Sequence, residues 1–201
     1  MGIAERKGRE RAEREHRIVA AARVIAEREG WDAVTIRRLA DEIEYSQPVL
    51  YSHFENRGAI VAAVAVEGFQ EITVALREAA SGSTGRRNAL KNVAMAYLAF
   101  ALSRPALYEA MFILPTDLRF AEAGTRPELH AAFEALAAVV RPFCVDVADV
   151  TETFWAALHG LAELERSGRI RPSARADRIN FVVRAILGDS PPARGSRRSV
   201  E

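Results

Sequence analysis

The feature that most constrains this sequence is the spacing of its apolar residues, which follows the period of an α-helix along almost the whole chain. Near the N-terminus, for example, Ile18, Ala22 and Ile25 fall on one helix face, and Gly30 follows as a stop signal. No convincing run of alternating apolar and polar residues, which would indicate a half-buried strand, interrupts this spacing. The sequence therefore predicts an all-α fold.

Helix start and stop signals divide this pattern into about nine helices. Thr35 and Ser46 are predicted N-caps of two short helices, Asn56 opens a long helix, and Pro105 suits a first helical turn. We expect a three-helix domain with a flexible basic arm over residues 1–60, a helical domain over 61–188 and a disordered tail over 189–201. The predicted helices cover about 9–29, 35–43, 47–54, 56–80, 86–103, 105 onwards, 127–141, 149–167 and 174–187.

The composition is that of a folded, soluble protein. Apolar residues make up 49% of the 201 positions, which is enough for a sizeable core. Apolar runs such as residues 60–66 are far shorter than the roughly 20 residues that span a bilayer, and no apolar leader is present, so we expect a cytoplasmic protein. The single cysteine, Cys144, excludes an internal disulfide and is either a small buried hydrophobe or a reactive thiol.

Two short predicted helices lie in the stretch TIRRLADEIEYSQPVLYSHFENR, residues 35–57. Leu39 and Ile43 form the inner face of the first, and Leu50 and Phe54 lie four residues apart on the second, so these side chains can be buried together. The few residues EYS join the two helices, which is the layout of a helix-turn-helix motif whose second helix lies in the major groove of DNA. Because any two short helices can share this layout, it does not by itself establish DNA binding.

The second of these helices carries side chains suited to DNA on its outer face. With the apolar positions turned inward, Gln47, Val49 and Ser52 point outward. A glutamine can form two hydrogen bonds with one base edge, and a valine can contact a thymine methyl group. Thr35 and Ser46, each at a helix start, present free backbone N–H groups to which phosphate oxygens can bind.

The motif resembles the DNA-binding domain of the tetracycline-repressor (TetR) family, and the likeness extends over about residues 10–70. The resemblance rests on the residues Thr35, Leu39, Ala40, Leu50, Tyr51, His53, Phe54 and Arg57. It implies that base edges are contacted by Arg37, Gln47, Pro48, Val49 and Ser52, and that phosphates are bound by Thr35, Tyr51, His53 and Arg57. Glu44 replaces the glycine that is usual at the turn, which predicts a strained left-handed residue.

Basic residues are concentrated before this motif, although the formal net charge of the whole chain is only +1. Arg6, Lys7 and Arg9 can reach phosphates or the minor groove as a flexible arm. Glutamates are interleaved with these residues, so the alternative is a solvated helix face with pairs four residues apart, such as Glu10 with Arg14.

The second half of the sequence is rich in large, partly polar side chains. Their helical spacing is typical of an ordinary core, yet a cavity between helices is also where a small molecule is usually held. TFWAALHGLAELERSG, residues 153–168, resembles a subgroup of TetR ligand-binding domains marked by Trp155, His159 and Gly160, and RPALYEAMF resembles the Arg-Pro-x-x-Tyr region that often precedes it. We expect an apolar or aromatic effector to be bound by Tyr97, Phe100, Tyr108, Met111, Phe112, Phe133, Trp155 and His159.

Metal and catalytic sites are not expected. His159 with Glu163, and His130 with Glu134, lie four residues apart and can share a metal, but no third ligand stands at a suitable spacing. The sequence contains no Gly-x-Ser-x-Gly elbow, Walker loop or Gly-x-Gly-x-x-Gly run. We therefore expect no cofactor and no enzymatic activity.

One recognition helix contacts too few bases to be selective within a genome, so a regulator of this layout requires two-fold symmetry. The last two helices predict a homodimer interface formed by Leu158, Leu161, Leu164, Ile179, Val182, Val183 and Ile186. The predicted function is that of a ligand-responsive regulator, a repressor that a small molecule releases from a palindromic operator. Two alternatives remain: a sequence-indifferent architectural DNA-binding dimer, and a helical small-molecule binder or enzyme without DNA binding.

Overall fold

The computed structural model describes residues 2–120 and 124–188, apart from the side chain of Ile3, and the predicted disordered tail lies outside these ranges. Within them the chain forms nine α-helices, three short 3-10 turns and no strand, so the all-α prediction is confirmed. The helices are α1 (Ile3–Glu29), α2 (Ile36–Glu42), α3 (Gln47–His53), α4 (Arg57–Ser81), α5 (Arg86–Ser103), α6 (Pro105–Phe112), α7 (Pro127–Val140), α8 (Val147–Arg166) and α9 (Arg175–Ile186).

The first three helices form the predicted helix-turn-helix unit. Leu39 of α2 and Leu50 of α3 are fully buried, and they join one continuous core with the inner face of α1. At the turn, Glu44 has a φ of 56°, and the next amide, Tyr45 N, donates to Ala40 O at 3.0 Å. The prediction of a left-handed Glu44 is therefore confirmed, and the turn holds a residue that would be less strained as glycine.

Helix α4 is the central element of the fold. It packs against α1, α5, α6 and α7, and it passes the predicted domain boundary at residue 60 without interruption. Its 25 residues are long and apolar enough to cross a membrane, which the short apolar runs of the sequence did not suggest, but much of the helix is buried inside the protein. Against α6, Gly68 leaves room for the Met111 side chain, because a Cβ at Gly68 would lie 2.5 Å from Met111 Sδ.

Specific hydrogen bonds join the N-terminal helices to α6. The indole Nε1 of Trp31, in the 3-10 turn after α1, donates to Ala106 O at 2.8 Å. The Glu27 carboxylate accepts from the backbone N–H of Leu107 at 3.1 Å, which satisfies one of the free donors at the start of α6. The first turn of α6 is thus fixed to the unit that carries α2 and α3.

A buried ion pair joins α8 to α9. The carboxylate of Glu165 is enclosed and contacts the guanidinium groups of Arg175 and Arg178, the latter at 3.2 Å. The hydrogen bond from Arg175 lowers the pKa of the Glu165 carboxyl, so that group stays ionised. Removing either partner of such a buried pair would leave the other charge buried without a counter-charge. The pair therefore fixes the way in which α8 and α9 cross.

Two predictions about where helices start, for α1 and for α3, need correction. Helix α1 begins at Ile3, so the residues predicted to form a flexible arm are helical. Charged residues support this extension through pairs four apart, Arg6 with Glu10 at 3.6 Å and Arg11 with Glu15 at 2.8 Å. Thr35 caps α2 as predicted, since its Oγ1 accepts from Arg38 N at 3.1 Å, whereas the Ser46 side chain makes no capping bond to α3.

Candidate DNA-binding face and buried aromatic cluster

Helix α3 presents a polar outer face on a buried scaffold. Its Leu50 is fully enclosed, and the chain leaves the helix through Phe54, which is partly buried against the same core. Most of the other side chains of α3 are turned outward, and Tyr51 is 54% exposed. Exposed positions of the predicted DNA-binding set are Thr35, Arg37, Ser46, Gln47, Pro48, Tyr51 and Ser52, while Val49 is half-buried.

Two residues of the predicted phosphate-binding set are instead used inside the domain. The His53 side chain is only 4% exposed, and its Nδ1 lies 3.3 Å from the Glu15 carboxylate of α1. The guanidinium of Arg57 donates to the backbone carbonyls of Val34 at 2.8 Å and Trp31 at 2.6 Å. These contacts hold α3 and α4 in place, and direct phosphate binding by the two side chains stays a prediction.

A residue that the sequence did not suggest also supports α3. Arg11, one turn before Glu15 on α1, pairs with that carboxylate and donates to Ser52 O at 3.3 Å. Its contact with Glu15 follows from the four-residue spacing, but its contact with α3 depends on how the helices pack. Arg11, Glu15 and His53 thus form a polar group behind the outer face of α3.

In the C-terminal half, four polar side chains form a hydrogen-bonded chain within a cluster of aromatic rings. Trp155 Nε1 donates to the Tyr97 hydroxyl at 3.0 Å, the hydroxyls of Tyr97 and Tyr108 are 2.9 Å apart, and the Tyr108 hydroxyl lies 2.6 Å from His159 Nδ1. Burial raises the pKa of both tyrosines and lowers the pKa of His159. All four groups are therefore expected to be neutral at pH 7.

In the described part of the chain, a void and a groove adjoin this aromatic cluster, besides a further space of about 480 Å³ that Phe133 and Trp155 also line. A small apolar void of about 40 Å³ lies beside Tyr97, Phe112 and Trp155, and it is too small for a drug-sized ligand. On the outer side, a groove of about 510 Å³ runs between α8 and the segment that follows α6, and it is within the usual size of a ligand site. We call this the α6–α8 groove; the described residues that line it are Met111, Phe112, Leu114, Pro115, Thr116, Leu118, Phe120, Trp155, Ala156 and His159.

Six of the eight residues predicted to bind a ligand line one or both of these spaces, and two do not. Phe100 is buried elsewhere, with the Arg104 guanidinium 5.1 Å from its ring centre. Tyr108 is fully enclosed and does not line either space, although it contacts the lining residues His159 and Phe112. The predicted set also missed lining residues of the void, among them Phe69 and Ile72, whose helical spacing on α4 places them on one face.

In both histidine–glutamate pairs considered as metal ligands, the glutamate carboxylate forms an ion pair with an arginine. Glu163 lies 3.3 Å from Arg166, and Glu134 lies 3.1 Å from Arg141. In the part of the chain that the structure describes, no group of three metal-binding side chains is brought together.

Some of the predicted dimer residues are buried, and the others are half-buried or exposed. Leu158, Ile179 and Val183 are enclosed in the core of this chain, so the prediction that they lie in an interface is wrong. Their apolar spacing packs α8 and α9 against the rest of the same chain. The outer faces carry another apolar surface, which we call the α8–α9 face; it is lined by Ala156, Ala157, Gly160, Leu161, Leu164, Arg178, Phe181 and Val182. Ile186 is half-buried.

The sequence did not indicate Phe181 as an interface residue, because it lies outside the buried apolar stripe of α9. Its side chain is 59% exposed. Such a large exposed aromatic side chain beside Leu164, which is 39% exposed, is unusual on a monomer surface. The α8–α9 face is therefore the part of this half that best fits an interface.

Comparison with known proteins agrees with this geometry. Residues 18–64 match the description "Bacterial regulatory proteins, tetR family", and residues 90–186 match "Tetracyclin repressor-like, C-terminal domain". The uncharacterized HTH-type transcriptional regulator Rv0681 of Mycobacterium tuberculosis is 31% identical over 158 residues, which cover 75% of this chain and 69% of that protein. The chain belongs to the TetR family.

Solved structures share the TetR fold along nearly the whole chain. A protein of unknown function from Rhodococcus sp. RHA1 has a TM-score of 0.70 at 22% identity, with 87% of this chain and 93% of that chain covered. A single-residue variant of TetR from Acinetobacter baumannii AYE, in complex with minocycline, has a TM-score of 0.62 at 20% identity, with 85% and 92% covered. As a TetR-family protein, the chain is a DNA-binding transcriptional regulator and not an enzyme.

Proposed function

We propose that this TetR-family protein is a cytoplasmic, homodimeric repressor that a small apolar or aromatic molecule releases from a palindromic operator. The observation that carries the proposal is the outer face of α3, where exposed polar side chains stand on a helix whose inner side is fully buried. Such a helix can enter the major groove without unfolding any part of the domain.

The exposed side chains divide between bases and phosphates. Gln47 can form two hydrogen bonds with an adenine edge, and Arg37 can do the same with guanine, while Val49 offers an apolar contact to a thymine methyl group. Pro48 and Ser52 lie beside these positions on the same face. Contacts to phosphates are assigned to Thr35, Ser46 and Tyr51, which lie at the helix starts and on the exposed side of α3.

The α6–α8 groove is the proposed effector site. TetR-family members bind operator DNA, dimerise and bind small molecules, and the minocycline complex is one such example. The C-terminal domain is proposed to belong to the Trp-His-Gly subgroup, with Trp155, His159 and Gly160 as its marker residues. The void beside the groove is too small to hold an effector in this conformation, so binding within it requires the side chains between the two spaces to move.

Helix α6 provides a physical link between effector and DNA. Its last turn carries Met111 and Phe112, which line the groove, and its first turn is bonded to Trp31 and Glu27 of the N-terminal unit. In a dimer, two recognition helices must lie about 34–36 Å apart to fit successive major grooves. An effector that binds better to a conformation with another spacing lowers operator affinity by that difference in binding free energy.

Operator binding is the decisive experiment. We expect the protein to protect a two-fold symmetric site in the DNA upstream of its own gene and to remain bound in excess unrelated DNA. Equal competition by unrelated DNA would favour the architectural alternative. No binding to any DNA would favour the small-molecule binder without regulatory function.

The dimer is tested by placing a charge on the α8–α9 face. In Leu161→Arg the guanidinium would have to be desolvated in an apolar interface, so we expect a monomer that has lost most of its operator affinity. Val145→Arg is the matched control, because Val145 is 94% exposed and lies before α8. Sedimentation, circular dichroism and operator titration separate a folded monomer from an unfolded chain. A folded Leu161→Arg monomer that binds the operator as tightly as the parent would contradict two-fold recognition.

A further inference from the structure

The hydrogen-bonded chain inside the aromatic cluster has a direction. The indole N–H of Trp155 can only donate, so the Tyr97 oxygen accepts at that end. If His159 Nδ1 donated to Tyr108, and Tyr108 then donated to Tyr97, the Tyr97 hydrogen would have no acceptor among the described residues. Every group finds its partner among the described residues only when Tyr97 donates to Tyr108 and Tyr108 donates to His159 Nδ1.

This direction fixes the tautomer of His159. Because Nδ1 accepts a hydrogen bond, the neutral ring carries its hydrogen on Nε2. The ring cannot turn freely, since it stacks on Tyr108 at a centroid distance of 5.7 Å and meets Phe112 edge-on at 5.4 Å. Nε2 has no partner among the described residues, and His159 lines the α6–α8 groove. The groove therefore contains one fixed N–H donor.

The remaining walls of the groove define what can accompany that donor. Apart from His159 and Thr116, the described lining side chains are apolar or aromatic, and none is an aspartate, glutamate, lysine or arginine. A charged ligand would lose hydration there without gaining a counter-charge. An apolar ligand with a neutral oxygen atom would keep its hydrophobic contacts and also accept from Nε2.

We propose that His159 selects the effector through its Nε2–H group, and that the effector is an uncharged, mainly aromatic compound with a carbonyl-type acceptor. Tyr97, Tyr108 and Trp155 are positioning residues that hold His159 in this form. The inference rests on the proposed function of the α6–α8 groove as the effector site.

The tautomer is tested on the full chain by ¹⁵N NMR of the imidazole nitrogens. At pH 7 we expect His159 Nδ1 to show the shift of an unprotonated acceptor nitrogen and Nε2 that of a protonated one. The chain has four histidines, so the signals are assigned by their loss in His159→Gln. Tyr108→Phe should reduce the preference for hydrogen on Nε2 to that of a free neutral histidine, and Tyr97→Phe should weaken it less. A protonated Nδ1 in the parent protein would overturn the proposal.

Ligand selection is tested with a matched pair of probes, 2-acetylnaphthalene and 2-isopropylnaphthalene, which have similar shapes but differ in the carbonyl oxygen. Binding is followed by tryptophan fluorescence. Between the parent and His159→Phe, the ratio of the two dissociation constants should change about fivefold at the expense of the ketone, the contribution expected of one neutral hydrogen bond. In His16→Phe, where the altered side chain is exposed on α1, the ratio should stay the same.

The possible results distinguish the role of His159 from the proposed effector site. An unchanged ratio in His159→Phe would overturn the role of His159 while leaving the groove as a ligand site. Tighter binding of 2-naphthoate than of the ketone would overturn the requirement for an uncharged ligand. Failure of all three naphthalenes to bind would contradict the proposed effector site itself, and the NMR result would still decide the tautomer.

Discussion

The outer face of α3 and the aromatic cluster of the C-terminal half use polar side chains in opposite ways. On α3, Gln47, Tyr51 and Ser52 are exposed, and the fold is held by other residues beneath them. In the cluster, Tyr97 and Tyr108 belong to the core and also form the hydrogen-bonded chain to the groove. On α3, the residues proposed to bind DNA are not the residues that hold the fold. In the aromatic cluster, the same side chains serve both the packing and the proposed ligand site.

The same substitution in the two regions gives the largest contrast. Tyr108→Ala should lower the free energy of unfolding by about 3–5 kcal/mol, because it removes a buried aromatic ring and leaves a cavity. Tyr51→Ala should change it by less than about 0.5 kcal/mol, because that ring is exposed. Urea unfolding followed by circular dichroism measures both. Similar losses in the two variants would contradict the distinction between the regions.

Operator binding should show the reverse dependence. Gln47→Ala is expected to cost about 1–3 kcal/mol of binding free energy and to relax the preference at one base pair, with stability unchanged. Gln70→Ala is the matched control, since Gln70 is an exposed glutamine on α4. Titration of a panel of operator variants measures the base preference. If Gln47→Ala left every preference intact, the assigned orientation of α3 would be wrong.

Removing one oxygen atom sharpens the comparison. Tyr108→Phe should cost about 1–3 kcal/mol of stability, because the Tyr97 hydroxyl loses its acceptor inside the core. Tyr51→Phe should leave stability unchanged and weaken binding to all DNA sequences alike, as expected for a phosphate contact. Thermal unfolding and operator titration on both variants decide the matter, and a sequence-dependent loss in Tyr51→Phe would contradict its assignment.

The smallest expected effect is a dependence of stability on pH. Burial lowers the pKa of His159 below its ordinary value of 6.5, so the unfolded chain binds the proton more readily. The stability that this histidine contributes is fully present above pH 6.5 and is lost as the pH falls through the lowered pKa. Between about pH 7.5 and 5, the melting temperature of the parent should therefore fall more than that of His159→Phe. The exposed control His16→Phe should follow the parent.

Most of the fold could be predicted from local signals. Thr35 and Asn56 cap α2 and α4 because their side chains can accept from the free N–H groups of a first turn, and such bonds require only nearby residues. The start of α1 was missed because residues 5–11 contain no apolar side chain, so apolar periodicity gives no signal there. The pairs between charged residues four apart are what support that segment.

The role of a site residue could be predicted from the sequence only where that role depends on exposure alone. The outward position of Gln47 follows from its place on an amphipathic helix, whereas His53 and Arg57 are engaged by groups far away in the sequence. Likewise, the spacing of Leu158, Ile179 and Val183 indicates burial but not whether the partner is the same chain or a second copy. The small size of the void depends on how aromatic rings from five helices fit together, which no local pattern encodes.

Helix α4 is a rigid connection between the N-terminal unit and the void. Its N-terminal residue, Arg57, is bonded to the carbonyls of Trp31 and Val34, and its later turns carry Phe69, Ile72 and Leu76 beside the void. A helix of 25 residues is about 37 Å long, so a rigid tilt of about five degrees about one end displaces the other by about 3 Å. That displacement approaches the rise of one base pair, so a tilt of a few degrees would shift a recognition helix by nearly one step along its DNA.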